Sequence, residues 1–182
     1  MKKKNIAIIL VGFFVVNCSA LILQCDAFKD KENIPVQFTC DGQNISPQLS
    51  WSDVPDKTKS FAIICDDPDA PMDRPFVHWV IFNIRGNVNE LPENVIAKNF
   101  FTKKSKNGSL RLTKQGTNDF GKIGYGGACP PKGAGSHRYV FTLYALDTVL
   151  NLNAGINKSD LLKAIQNHIL AETKLTGLFE RK

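Results

Sequence analysis

The sequence predicts a mainly β domain with a helix near its C-terminus. Between residues 21 and 150, short apolar runs are separated by segments rich in Pro, Gly, Asn and Asp. Several runs are rich in Val, Ile, Phe, Tyr and Trp, which suit a pleated sheet with turns between its strands. The 182 residues are enough for one domain with its own core, but not for two. The predicted strands are residues 34–38, 49–51, 61–65, 77–84 and 139–146.

Residues 61–65, and residues 80–82 within the run at 77–84, are apolar at every position. A strand with one face in water alternates apolar and polar residues, so these two strands should be central and covered on both faces. Cys65 ends the first run and is predicted to be a small buried apolar side chain.

One apolar pattern repeats at three-to-four spacing and predicts the C-terminal helix. Ser159 and Asp160 are suited to cap its start, Gly177 should lie just beyond its end, and His168 should lie on it without a functional role. The apolar residues that define the helix are Leu161, Leu162, Ile165, Ile169 and Leu170.

Residues 1–20, MKKKNIAIILVGFFVVNCSA, are typical of a secretory signal. Lysines at residues 2–4 precede an apolar stretch at residues 6–16, which is short for a helix that spans a membrane. We therefore expect a signal peptide at residues 1–20, a single domain at residues 21–182 and a location in the bacterial periplasm. The alternative is a lipoprotein signal at residues 15–18, in which Cys18 carries the lipid and anchors the protein in the envelope.

The net charge gives no support for a nucleic-acid partner. Residues 1–20 hold three lysines and no acidic residue, so their removal lowers the formal charge from +6 to +3. A basic cluster remains, but no aromatic stripe interleaves with it as a single-strand binder requires. A solvated hairpin face is the better interpretation of this cluster. Its members are Lys98, Lys103, Lys104, Lys106, Arg111 and Lys114.

Two loops place histidines at the same end of the predicted sheet. The loop DDPDAP, residues 66–71, follows the strand at 61–65, and the chain returns into the strand that holds His78. A Gly/Pro-rich loop at residues 125–136 leads to His137 at the mouth of another strand. Glycine permits close backbone approach to a ligand and proline stiffens the loop around it. An Asp/Pro turn is common on a protein surface, but two histidines in this setting favour a binding site.

The motifs in these loops resemble those of the phosphatidylethanolamine-binding protein family, in its bacterial branch, the Raf-kinase-inhibitor-like YbhB/YbcL group. They are DPDAP (67–71), HW and NI (78–79 and 83–84), and GYGGACPPKGAGSHRYVFTLYALD (124–147). FTCDGQNISPQLSW (38–51) and ILAETKLTGLFER (169–181) extend the resemblance over residues 21–181. It implies a PEBP-like fold, in which a large antiparallel sheet packs on a smaller sheet.

The resemblance also implies a small pocket for phosphate, acetate or a phospholipid head group. Ala70–Pro71 is the candidate for a cis peptide bond, and Asp69 is expected to stabilise the loop. Two departures from the family pattern are Ala128 in place of a proline and Phe179 where many relatives have tyrosine. The implied ligand-binding residues are Asp67, Ala70, Pro71, His78, Tyr125, Gly126, Gly127, Cys129, Pro130 and His137.

Cys40 and Cys129 form the expected disulfide pair, because each lies beside a signature motif that the resemblance places near the pocket. An exported protein meets an oxidising environment. The sequence has no CxxC spacing typical of zinc or of a redox dithiol.

The combination of an aspartate with histidines suggests a pocket for an anion or a zwitterion. A nearby carboxylate favours the charged imidazole, so Asp67 is expected to raise the histidine pKa above about 6.5. The protonated ring would face the anion, while Asp67 orients it or accepts from a head-group ammonium.

Two other functions compete with a non-catalytic binder. Asp67, His78 and His137 are able in principle to serve a hydrolase or a metal-dependent enzyme. No GxSxG motif is present, however, and GTNDFGKI (116–123) lacks the hydroxyl residue of a phosphate-binding loop. The second alternative is a regulator that inhibits a partner protein through the pocket rim. We predict neither a cofactor nor a metal.

Overall fold

The chain folds into two β-sheets and one short α-helix, as seen in a computed structural model that describes residues 20–96 and 113–182. The expected signal peptide and lipidation site lie outside these residues, as does most of the basic cluster. Lys114, the last member of that cluster, lies within a short strand. No helix in the described part of the chain is long and apolar enough to cross a membrane.

The larger sheet has six strands in the order β2-β9-β8-β4-β5-β7, and its pairs are antiparallel except for β2 with β9. The strands are β2 (Glu32–Asn33), β4 (Ser60–Asp67), β5 (Phe76–Arg85), β7 (Lys114–Gln115), β8 (His137–Leu146) and β9 (Ile169–Phe179).

The smaller sheet is antiparallel and has the order β1-β3-β6. It packs on one face of the large sheet and forms the main core with that face. A second apolar cluster covers the other face and includes Leu161 and Ile165 of the helix α1 (Lys158–Ile165). The strands are β1 (Ile22–Gln24), β3 (Leu49–Ser52) and β6 (Glu90–Leu91).

The two central strands are covered on both faces, as their continuous apolar sequence predicts. In β4, Phe61 and Ile63 enter the main core, whereas Ala62 and Ile64 enter the cluster beneath α1. Cys65 is buried and free, and Cys25 is also a buried free cysteine. The run at residues 34–38 is instead a 3-10 turn, Val36–Phe38, which follows Pro35.

The C-terminal helix is shorter than predicted. It ends at Ile165, and Ile169 and Leu170 begin β9 rather than continue the helix. His168 lies in the turn between them, where its N–H donates to the Ile165 carbonyl. The N-cap is Asn157, whose Oδ1 accepts the Asp160 N–H at 2.9 Å.

The prediction failed because residues 169–179 satisfy a β pattern as well as the helical one. Leu175, Gly177 and Phe179 alternate into the core, and β9 pairs with β8 along its whole length. Gly177 is therefore a strand residue and not a helix terminator. A Cβ at this position would lie 2.4 Å from the Ile34 side chain, so glycine allows the N-terminal segment to pack closely.

Candidate functional site

Three strand ends meet at one end of the large sheet and form a cavity of about 230 Å³. Strand β4 ends at Asp67, which pairs with Phe76 at the start of β5, and β8 begins at His137. The antiparallel pairing thus gathers the two loops that the sequence predicted to form a site.

Seven of the ten residues expected to bind the ligand line this cavity, and four apolar residues complete it. The seven are Asp67, Ala70, Pro71, His78, Cys129, Pro130 and His137, and the four that sequence reasoning missed are Met72, Phe76, Phe120 and Pro131. Proximity to the DPDAP motif was a signal for Met72 and Phe76, whereas only the tertiary fold brings in Phe120.

His137 is held by a buried carboxylate. Its Nδ1 lies 2.8 Å from Oδ2 of Asp67, and both side chains are almost fully buried. The other carboxylate oxygen of Asp67 accepts the Asp69 N–H at 2.8 Å. The proton on Nδ1 fixes the ring orientation and leaves Nε2 available to the cavity.

His78 is held by the backbone instead. Its Nδ1 donates to the Gly126 carbonyl at 2.8 Å, which again leaves Nε2 as the nitrogen available to a ligand. Burial lowers the pKa of His78, although the Gly126 carbonyl and the Asp67 charge partly oppose this effect. Asp67 thus acts to raise the pKa of His78, but the expected net rise above about 6.5 is wrong for this residue, because the cost of burying the charged ring is larger.

Tyr139 lies behind the two histidines and was missed by the sequence analysis. Its ring packs edge-on against His78, with the ring centroids 5.0 Å apart. The hydroxyl is buried and has no hydrogen-bond partner among the described residues. Burial, followed by the nearby Asp67 carboxylate, raises its pKa. The sequence contained a signal for Tyr139, because side chains alternate along a strand and residues 137 and 139 therefore share one face of β8.

Tyr125, Gly126 and Gly127 support the cavity from outside rather than line it. The Tyr125 hydroxyl donates to the Phe38 carbonyl at 2.9 Å, and Gly127 N–H donates to the Asn44 side chain. A Cβ on Gly126 would lie 2.6 Å from the Phe120 ring, so glycine lets this aromatic wall approach the backbone.

A disulfide between Cys40 and Cys129 links the cavity wall to the neighbouring loop, with the two Cα atoms 5.4 Å apart. Ala128 accepts the Cys40 N–H through its carbonyl, so backbone pairing also holds this loop. The Ala70–Pro71 bond is trans, since the described residues contain no cis peptide bond, and that part of the prediction is wrong.

Ion pairs at the rim fix the loops around the cavity. Arg138 binds Asp69 through its guanidinium and its backbone N–H, and these hydrogen bonds lower the pKa of Asp69. Asp69 thus stabilises the loop, as expected. Burial acts to raise the pKa of Asp119, but hydrogen bonds from Arg74 and from the Val77 N–H outweigh it and lower that pKa.

The charge balance of the cavity is unusual for an anion site. Asp67 is its single acidic lining residue, and no Lys or Arg from the described segments lines it. Positive charge must therefore come from a protonated imidazole or from the ligand itself. Nor do the described residues contain a group of three His, Cys, Asp or Glu side chains placed to hold a metal ion.

A larger groove of about 610 Å³ runs beside α1 and lacks these chemical features. Its Arg74 is paired with Asp119 and its Lys158 with Asp66, so its charges are largely satisfied within the protein. The smaller cavity with two imidazoles is the better candidate for the site.

Residues 24–180 match the family model described as phosphatidylethanolamine-binding protein. The chain is 51% identical over 159 residues to a UPF0098 protein of Methanothermobacter thermautotrophicus, covering 87% of this chain and 98% of the relative. It is 41% identical over 176 residues to a UPF0098 protein of Aquifex aeolicus, covering 95% of this chain and 97% of the relative.

Two crystal structures share the fold. YbcL of E. coli, a member of the mammalian PEBP family, has a TM-score of 0.78 and 34% identity, covering 90% of this chain and all (100%) of YbcL. The PEBP homologue CT736 of Chlamydia trachomatis has a TM-score of 0.76 and 38% identity, covering 90% of this chain and 99% of CT736. The predicted fold, a large antiparallel sheet packed on a smaller one, is confirmed.

Proposed function

Because this chain belongs to the phosphatidylethanolamine-binding protein family, we propose that it binds a small phosphate-type anion or a phospholipid head group in the cavity between β4, β5 and β8. Members of this family generally bind ligands without catalysing a reaction. The observation that carries the proposal is that both imidazoles are anchored through Nδ1, so each keeps Nε2 for a ligand.

The His78 imidazole is able to change protonation when an anion arrives. His78 is neutral in the free protein at neutral pH, because burial lowers its pKa. A bound anion favours the charged ring, so the protein takes up a proton on binding or the ligand brings one. In either case Nε2 and a ligand oxygen share a hydrogen bond.

Asp67 suits a zwitterionic head group better than a bare anion. Its carboxylate orients the His137 ring through Nδ1 and places a negative charge beside the ligand cavity. A head-group ammonium near Asp67 would complete the charge balance of a cavity that no Lys or Arg of the described segments lines. We therefore expect phosphoethanolamine to bind more tightly than phosphate.

Isothermal titration with phosphate and with phosphoethanolamine, from mildly acidic to mildly basic pH, tests this function. Affinity should fall as pH rises through the bound-state pKa of His78, because the charged ring is then lost. His137→Ala should weaken binding by about 1.5–3 kcal/mol, typical of a charge-assisted hydrogen bond.

His168 provides the matched control. Its Nδ1 also lies 2.8 Å from a carboxylate, that of Asp147, but it does not line the cavity. His168→Ala should therefore leave both affinities unchanged. Equal affinities in wild type and His137→Ala would exclude this cavity as the binding site.

We also propose that the protein acts in the periplasm, on the basis of the secretory layout of residues 1–20. Intact mass and N-terminal sequencing of the mature protein should find a chain that begins at Leu21, or a lipid on Cys18 in the alternative. A retained Met1 in envelope fractions would contradict both. Inhibition of a partner protein through the rim is an extension of this proposal, and co-purification from the periplasm tests it.

A further inference from the structure

We propose that the opposite end of the large sheet holds a second binding site, in which Lys59 and Arg85 bind a phosphate group. The phosphate group belongs to a small soluble ester or to the head group of an anionic lipid. Among the described residues, this site shares none with the cavity between β4, β5 and β8, and it does not depend on the function proposed for that cavity.

The second site lies where β4 begins and β5 ends. Ser60, the first residue of β4, pairs with Arg85, the last residue of β5, whereas the two histidines lie at the other end of the sheet. The eight residues of β4, at about 3.4 Å each, separate the two ends by about 25 Å. A cavity of about 360 Å³, here called the distal cavity, lies beside Ser60 and Arg85. A small ligand therefore cannot contact both cavities at once.

The backbone brings Lys59 and Arg85 together. The Gly86 N–H donates to the Lys59 carbonyl at 2.9 Å, directly beside the pair formed by Ser60 and Arg85. A Cβ on Gly86 would lie 2.4 Å from the Thr58 carbonyl oxygen, so glycine permits this close approach. Both Lys59 and Arg85 consequently line the distal cavity.

Arg85 differs from the other arginines of the described segments. Arg74, Arg138 and Arg181 each form an ion pair with an aspartate, whereas Arg85 has no such partner in these segments. Arg85 is half-buried, so part of its side chain is shielded from water. Its guanidinium offers five N–H donors in a planar fork, which suits an anion with several oxygens, such as a phosphate group.

The distal cavity carries positive charge without a balancing acid in its wall. Lys59 and Arg85 line it, and none of the described residues around it is acidic. Two like charges side by side repel each other, and a bound dianion offsets that repulsion. The described wall also lacks an aromatic ring on which a nucleobase stacks, which favours a small phosphate ester over a nucleotide.

A neighbouring cavity does not neutralise this charge. It shares Lys59 with the distal cavity, and its other charged residues are Lys57, Asp56 and Asp147. The Asp147 carboxylate already lies 2.8 Å from Nδ1 of His168. Across the described walls of the two cavities, the Lys and Arg side chains outnumber the carboxylates by three to two.

The buried polar side chains of the distal cavity are engaged within the protein. Asn83 Nδ2 donates to the Leu150 carbonyl, and Asn83 Oδ1 accepts the Leu150 N–H, both at 2.8 Å. The Ser60 hydroxyl donates to a backbone carbonyl. These bonds hold the wall in place and leave the charged donors of Lys59 and Arg85 for a ligand.

Site-resolved NMR with glycerol phosphate tests the proposal, because it separates the two cavities. In the nitrogen-labelled full chain, as processed by its expression host, the amide signals of Lys59 and Gly86 should shift and saturate at millimolar ester. The signals of Gly126 and Gly127 report on the cavity with two histidines. Shifts at Gly126 and Gly127 alone would overturn this proposal and support the function proposed above. Shifts at Lys59 and Gly86 alone would support this proposal and count against that function.

Substitutions of the two cations provide the second test. Arg85→Gln should raise the dissociation constant of the distal cavity about tenfold or more, and Arg85→Lys should raise it less, because lysine keeps the charge but lacks the fork. Lys59→Gln should also weaken binding, and it should not disturb the fold because Lys59 is exposed. Lys163→Gln removes an exposed lysine that does not line this cavity, so this matched control should leave binding unchanged. Equal affinities in wild type, Arg85→Gln and Lys59→Gln would overturn the proposal.

A vesicle assay identifies the source of the phosphate group. Co-sedimentation with phosphatidylglycerol vesicles but not with phosphatidylcholine vesicles, lost in Arg85→Gln and retained in Lys163→Gln, would assign the distal cavity to an anionic lipid head group. Binding of glycerol phosphate without binding to vesicles would assign it to a soluble ester. Absence of both would refute a phosphate site at this end of the sheet.

Discussion

The two ends of strand β8 carry the same hydrogen bond in different surroundings. At its start, His137 Nδ1 lies 2.8 Å from the Asp67 carboxylate, and just beyond its end His168 Nδ1 lies 2.8 Å from the Asp147 carboxylate. The side chains of the first pair are 6% and 5% exposed, whereas those of the second are 44% and 45% exposed.

The comparison shows that bond geometry alone does not identify a site. Water and salt screen the exposed pair, so it contributes little to stability or to recognition. The buried pair has lost its hydration and is surrounded by apolar walls, so its polar groups interact more strongly with each other and with any ligand. A disulfide further holds the cavity wall beside the start of β8, since Cys129 lines the same cavity as His137.

Loss of the disulfide should cause the largest difference in local stability between the two ends of β8. The double variant Cys40→Ser/Cys129→Ser should lose roughly 4 kcal/mol of unfolding free energy in the chain-entropy model, because the crosslink closes a loop of 89 residues. Hydrogen exchange should become faster around Cys129 but remain unchanged around Asp147.

Thiol counting on the denatured, unreduced protein provides the control for this prediction. We expect two free thiols in the chain from residue 21 onward, those of Cys25 and Cys65. Four free thiols would contradict the pairing, and equal exchange rates at Cys129 in wild type and variant would contradict its role at the cavity.

Matched substitutions of Asp67 and Asp147 should cause the next largest difference in stability between the two ends. Asp67 accepts from His137 and from the Asp69 N–H, and asparagine offers only one acceptor oxygen. Asp67→Asn should therefore lower the free energy of unfolding by about 1–3 kcal/mol and abolish most ligand binding. Asp147→Asn should cost at most about 1 kcal/mol and leave binding intact. Urea denaturation measures both losses. Similar losses in Asp67→Asn and Asp147→Asn would show that burial does not distinguish the two pairs.

A fall in pH should lower the stability of the protein through the buried His78, which lines the same cavity as His137. Because burial lowers its pKa in the folded state, the unfolded chain takes up its proton first as pH falls. The stabilising contribution is therefore complete above the unfolded pKa of about 6.5 and is lost as pH falls toward the folded pKa, by at most about 1.4 kcal/mol per pH unit.

Urea midpoints between pH 8 and pH 5 measure this loss. His78→Gln should flatten the decline below about pH 6.5. An unchanged decline in His78→Gln would assign the acid sensitivity to other groups.

The sequence predicted the central strands and the two loops that meet at one end of the sheet, because both depend on local patterns. Continuous apolar runs identified β4 and β5, and two motif-bearing loops identified Asp67, His78 and His137. Residues 169–170 were assigned to the wrong element, because their helical spacing is resolved only by pairing with β8.

Other features of the site depend on contacts that sequence patterns do not encode. Phe120 reaches the cavity from a distant loop, and Tyr125 instead donates to the Phe38 carbonyl behind the wall. The sign of the His78 pKa shift was also missed, because it depends on the balance between burial and the Asp67 charge. Burial is a property of the folded protein and not of a motif.

The smallest expected effect comes from Arg138, which follows His137 directly but points outward. Its side chain is 57% exposed, and its guanidinium lies 2.6 Å from the Asp69 carboxylate, which also accepts the Arg138 backbone N–H. Arg138→Gln should lower the free energy of unfolding only slightly at low salt and by less at high salt.

The pH dependence of this small effect follows from the Asp69 carboxyl. The hydrogen bonds from Arg138 lower its pKa, so its stabilising contribution is complete above the unfolded value of about 3.9 and is lost as pH falls through the folded value. The difference between wild type and Arg138→Gln should therefore disappear in strong acid. Ligand affinity should stay within about twofold, because Arg138 does not line the cavity. A tenfold loss of phosphoethanolamine binding in Arg138→Gln would show instead that the outward face at the start of β8 belongs to the site, and that burial does not separate the two ends of the strand.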